Sequence, residues 1–215
     1  MLTGLASITE YSGVFKNKMN IATNEKIIIA TKLWLERAVI GLNLCPFAKA
    51  VHVKNQISYA VSSATTHEDL LSDLMHALEI LAETPAEKID TTLLIHPYVL
   101  TDFIDYNDFL DVVDTALEDM DLENALQVAS FHPQYQFAGT QPDDIENYTN
   151  RSPYPMMHLL REASVAQAVL AFPEAGKIFD KNIETLRGLG HAGWNDLGLI
   201  EISLPLENES MRKEL

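Results

Sequence analysis

The side chains whose types and settings can carry chemistry are one thiol, Cys45, three imidazoles, His96, His132 and His158, the carboxylate of Glu162 and the guanidinium of Arg151. Cys45 precedes Pro46, which biases it away from the α region and onto a turn. With His132 or His96 in reach to draw off its proton it would be a nucleophile; otherwise it is a small buried hydrophobe. His96 and His132 each stand before a proline at the end of an apolar run, so both are expected at strand ends facing one cleft, with His132 as general base. His158 and Glu162 are four residues apart, and on a helix they would share a flank. There they can hold one metal, or Glu162 can orient the imidazole. Cys45, His132 and His158 would make a mixed nitrogen and sulfur set suited to zinc. No HExxH or CxxC spacing supports that metal, and a surface hydrogen bond is the plainer reading.

Arg151 stands just before an expected helix, where its guanidinium and free backbone N–H groups would converge on a carboxylate or phosphate. A pairing with Asp143, Asp144 or Glu146 that ties the loop down is the equal alternative. Tyr135, Phe137, Tyr148 and Tyr154 either wall a pocket beside His96 and the other histidines or pin the loop to the core.

These residues converge only if the elements between them deliver them. Ile27, Ala30, Trp34, Ala38 and Leu42 recur at helical spacing and predict a helix over 24–42. Strands are expected over 57–63, 91–96 and 126–131. Helices are expected over about 66–84, led by Thr66 and Asp69 as a capping pair, and over about 106–120. The stretch from Ser130 to Glu162 is the centre of the chain. It leaves a strand, crosses a polar loop and enters a fourth helix near Pro153 or Pro155 that runs through Leu170. Loops beyond about 12 to 15 residues inside a compact domain are functional or disordered, and the aromatics here favour function. A last helix follows Pro173, with Ala175, Ile178, Phe179, Ile183 and Leu186 inward and the glycines at 188 and 190 as its stop.

Strands alternating with helices predict a single α/β domain over 21–197, a small parallel or mixed sheet of about three strands flanked by helices. A flexible N-terminal extension over 1–20, with Met19 as an alternative start, and a polar tail over 198–215 complete the chain. Ligands of such sheets sit beyond the carboxyl ends of the strands, which is where His96 and His132 would lie.

Composition narrows the function. A formal charge of −16 works against binding phosphate backbones, so nucleic acid is not an expected partner. The apolar content of 47% suffices for a core without disulfide or structural metal. No run is long and apolar enough to span a membrane, and a single cysteine suits a reducing, cytoplasmic setting.

The stretches WLERAVIGLNLCPFAKAV from Trp34, SFHPQYQFAGT from Ser130, NRSPYPMMHLLRE from Asn150 and the Gly193–Trp194 pair together resemble a bacterial family designated domain of unknown function 1415. The likeness spans about residues 25 to 197. It implies no activity, and it sets the two ends apart as extras. The residues themselves lead to an enzyme acting on a small anionic metabolite by hydrolysis or acid/base chemistry. In it His158 with Glu162 is a second proton carrier or metal ligand, Arg151 binds the anion and Cys45 is nucleophile or ligand. The alternative is a module that holds a metabolite or metal without turning it over.

Overall fold

A computed structural model describes residues 23–172 and 174–199. The expected N-terminal extension, Pro173 and the tail beyond residue 199 lie outside the described residues. Helix α1 occupies residues 23–34 and buries Ile27, Ala30 and Trp34 as its spacing requires. It widens into a π-helical turn at Leu35–Ile40, closed by a bond from the Gly41 N–H to the Glu36 carbonyl at 3.0 Å. A side chain at Gly41 would place Cβ 2.3 Å from the Arg37 carbonyl oxygen, so the wide turn depends on glycine there. The chain then turns through Asn43, at φ 56°, into the short helix α2, Ala48–Val53.

Strand β1, Ile57–Val61, leads to α3, His67–Glu83. The Asp69 N–H donates to Thr66 Oγ1 at 3.2 Å, and the Thr66 hydroxyl donates to the Asp69 carboxylate at 2.9 Å, so the capping pair forms. Strand β2, Thr91–Ile95, is buried throughout. Helix α4, Phe103–Asp119, starts earlier than its apolar stripe suggests. Asp102 caps it, accepting from the N–H groups of Ile104 at 2.8 Å and Asp105 at 3.3 Å. Its acids Asp108, Asp111, Asp114 and Glu118 face solvent. Strand β3 is Leu126–Phe131, as its pattern predicts.

The chief correction falls after the long loop, which carries a 3-10 turn at Ile145–Thr149. Met156–Arg161 is not helical; it is a fourth strand, β4, and the helix α5 begins only at Glu162 and ends at Ala171. Met, Leu and Arg are good helix formers, but ladders on both sides override that preference. Leu93 and Ala129 flank His158 in register, one on each neighbouring strand. His158 and Glu162 therefore share no helix face. After a 3-10 turn, Ala175–Lys177, helix α6, Ile178–Asn195, runs on past Gly188 and kinks at Gly190, where φ is 63°. Leu186 is buried as expected, whereas Phe179 is 53% exposed and sits on the outer side.

The sheet is mixed and four-stranded, in the order β1-β2-β4-β3, with β1 and β2 parallel and β4 antiparallel to both its neighbours. Its side chains alternate between two cores. Leu94, Met157 and Leu159 pack with α3 and α4, while Leu93, Ile95 and Met156 pack with α1. Each fully buried aliphatic side chain contributes about 1.5–3 kcal/mol, so two such cores hold the sheet between its helices. Among the described residues no helix is long and apolar enough to cross a membrane.

Candidate functional site

Because β4 runs against β2 and β3, its first residues lie at the edge where those two strands end. The His96 N–H donates to the Pro155 carbonyl at 3.0 Å, and the His132 N–H to the Asn150 carbonyl at 3.2 Å. Both expected histidines thus reach one edge of the sheet, with the head of β4 between them. Tyr106 of α4 joins them: its ring lies 5.7 Å from that of His96 and 5.2 Å from that of His132. Its hydroxyl donates to the Met156 carbonyl at 2.9 Å and accepts from the Phe131 N–H at 3.2 Å.

The rings are fixed rather than poised. His132 Nε2 lies 3.2 Å from the Leu100 carbonyl, which can only accept, so Nε2 carries the proton; Nδ1 accepts from the Gln134 N–H at 3.0 Å. Both nitrogens are engaged. His96 Nδ1 donates to the Val99 carbonyl at 3.1 Å, and its Nε2 is sealed in the core without a hydrogen-bond partner among the described residues. Burial lowers both from the ordinary 6.5 to about 4, against the opposing pull of those carbonyls, so both are neutral near pH 7.

The loop over 132–155 is longer than its topology demands, since antiparallel neighbours need only a tight turn. It folds around Asn147, which is fully buried. The Asn147 side-chain oxygen accepts from the Phe137 N–H at 3.0 Å and the Thr140 hydroxyl at 2.7 Å, and its amide donates to the Gln141 carbonyl at 2.7 Å. Tyr135 packs on Phe103 at 5.1 Å and on Phe137 at 5.0 Å, and Tyr148 meets Trp194 edge-on at 4.9 Å. Tyr154 instead points into the α1 core, where burial pushes its hydroxyl up to about 12.

Arg151 sits where the loop returns. Its guanidinium donates to the Tyr135 carbonyl at 3.2 Å and to that of Pro142, and it lies 4.4 Å above the Tyr148 ring. Glu146 pairs with Arg187 at 2.8 Å, so it is not the partner of Arg151. A guanidinium carries more N–H donors than these bonds consume. Arg151 lines a cleft of about 400 Å³ together with Asp102, Phe103, Ile104, Gln134, Gln136, Pro142 and Asp143. That is within the usual range of small-molecule sites, about 300–1,000 Å³.

A family model described as "Protein of unknown function (DUF1415)" matches residues 26–196. The chain belongs to that family. No curated protein and no solved structure matches it. Every residue named for the site falls inside the DUF1415 segment.

The other expected site residues lie apart from this cleft. Cys45 packs against the α1 core, and burial raises its thiol pKa despite the backbone N–H groups of Phe47 and Ala48. His158 shares its sheet face with Leu93 and Met156, on the α1 side, beside Phe131 at 6.1 Å, and desolvation lowers it to about 4. Glu162 heads α5 at the far end of β4, its N–H donating to the Ala125 carbonyl at 3.0 Å. Among the described residues no three His, Cys, Asp or Glu side chains group to hold a metal, so Cys45, His132 and His158 do not form a zinc set. Asp102, Tyr106 and Asn147 escape a reading of the sequence alone. Asp102 carries the usual capping signal ahead of Phe103; the other two carry no local signal, because their roles come from packing.

Proposed function

We propose that this protein is a binding module for a small molecule with an anionic group, received in the cleft over the carboxyl edge of the sheet. The observation that carries this reading is Arg151, a cation held in place by two backbone carbonyls and an aromatic ring yet lining the cleft. Holding the guanidinium beforehand lowers the ordering cost that binding would otherwise incur. Phe103 supplies an apolar wall, and Gln134 and Gln136 supply amides that select orientation.

Hydrolysis, which the residue types in the sequence suggest, has less support. It needs a base with a free lone pair beside a nucleophile. Both nitrogens of His132 are bonded, the free lone pair of His96 Nε2 is fully buried, the Cys45 thiol is held in its protonated form, and His158 faces the α1 core. We assign the protein to the cytoplasm, a setting that its single, unpaired thiol supports.

The test is a thermal-shift screen of the full chain and its Arg151→Met variant against small carboxylates, amino-bearing ones among them, and phosphates. A ligand that binds the native state raises its melting temperature. Stabilisation of the parent by at least one anion, lost in Arg151→Met, supports the reading; equal shifts in both proteins, or none in either, overturn it.

A further inference from the structure

The cleft beside Arg151 is not simply basic. Asp102 and Asp143 line it too, so its formal charge is acidic despite the guanidinium. The capping bonds of Asp102 go to one carboxylate oxygen, Oδ1, and leave Oδ2 without a hydrogen bond among the described residues. Asp143 is exposed and makes no hydrogen bond or ion pair among the described residues, whereas its neighbour Asp144 is engaged by the Gln141 N–H at 2.7 Å. Gln136 donates its amide to the Thr140 carbonyl at 2.6 Å and keeps its side-chain oxygen as an acceptor. One wall therefore offers a cation, and the others offer acceptors that call for a donor of positive charge.

Long-range charge points the same way. At −16 overall, the chain repels a free anion before it reaches Arg151, while a molecule of zero net charge meets no such barrier. A simple carboxylate in the cleft would also lie beside two carboxylates that no side-chain cation pairs among the described residues, a like-charge arrangement that binding sites avoid.

Resting on the binding role proposed above, we infer that the ligand is a zwitterion, with an acidic group on Arg151 and an ammonium group on Asp102 and Asp143. Free α-amino acids are the smallest molecules of that chemistry, and the cleft has room for one with its side chain.

Calorimetric titration of the full chain with the common α-amino acids, and with the N-acetyl and methyl ester forms of each, tests the inference. At least one amino acid binds, and both of its blocked forms bind about ten-fold more weakly or worse, the loss expected for one charge-assisted hydrogen bond. In a double variant, Asp102→Asn with Asp143→Asn, the gap between the amino acid and its N-acetyl form closes. Asparagine keeps the helix cap at position 102, and far-UV circular dichroism checks that the fold survives. An N-acetyl form binding as tightly as its parent, or a gap that persists in the double variant, overturns the zwitterion and leaves the anion site standing. A methyl ester binding as tightly as its parent removes the role of Arg151 and overturns both; a panel in which nothing binds overturns the zwitterion alone, and the anion site then stands or falls on the simple carboxylates and phosphates of the thermal-shift screen.

Discussion

Arg151 lies face-on above Tyr148, its guanidinium carbon 4.4 Å from the ring centroid, and so holds a cation at the mouth of a cleft in an acidic protein. Tyr148 is itself braced by Trp194 and His191 from α6. The stack thus links the last helix to the loop. A cation–π contact of this kind is worth about 0.5–2 kcal/mol. Tyr148→Leu should therefore lower stability by about 1 kcal/mol in urea unfolding and weaken any Arg151-dependent ligand several-fold. Arg151→Lys keeps the charge but lacks the planar fork, and it should bind that ligand no better than Arg151→Met does.

Asn147 is the hub of the loop, and its removal should cost more than any surface change nearby. Asn147→Ala strands the Phe137 N–H, at about 1–3 kcal/mol for an unsatisfied group, and frees the Gln141 carbonyl to rest on the Asp144 N–H alone. Asn147→Asp keeps the acceptor and loses the donor, so it should fall between Ala and the parent in melting temperature. Because Gln136 and Pro142 line the cleft, hydrogen exchange over 134–146 should speed up in Asn147→Ala well before the sheet is affected.

Stability should depend on pH through the buried histidines. His96, His132 and His158 fall from 6.5 to about 4 in the folded chain, each by desolvation. Between those values the unfolded chain binds more protons than the native one, so stability rises with pH. It is full above about 6.5 and is lost as pH falls toward about 4. Urea midpoints should decline across that window, ahead of the carboxylates, whose ordinary values lie near about 4. His132→Gln removes one titrating group and should flatten the decline; an unchanged slope would mean that His132 is not held neutral by burial.

Much of this architecture is written locally. The α1 stripe, the Thr66 cap and strand β3 follow from spacing and residue type, because a helix face or an alternating strand needs only its own residues to declare it. The mixed sheet and the arrival of His96 and His132 at one edge follow from the order of elements. Strand β4 is different. MMHLLR is buried on both faces of the sheet, so it shows no alternation, and its residues favour helix when read alone. As a helix, this stretch would set His158 beside Glu162. The structure instead puts His158 on the α1 face and Glu162 at the far end of the strand. The cleft is legible only in part: Arg151 stands out in a long polar loop, whereas Asp102 and Phe103, from the start of α4, are brought to it by tertiary folding.

Arg161, at the end of β4, clasps the close of α3. Its guanidinium donates to the carbonyls of Leu81, Thr84 and Ile89, a favourable site for a cation because carbonyls are left over at a helix C-terminus. Arg161→Met should destabilise the chain by about 2–3 kcal/mol and speed amide exchange in the last turn of α3. Ligand binding at Arg151, at the other end of β4, should be unaffected once the variant is folded.

The central claim is that the cleft at Arg151 receives the ligand, and amide and side-chain NMR during titration with the best-stabilising anion or amino acid tests it most directly. Shifts centred on Arg151 Nε–H, the Gln134 and Gln136 side-chain amides and the Ile104 backbone are predicted. Shifts centred on His158 and its neighbours on the α1 face would contradict it.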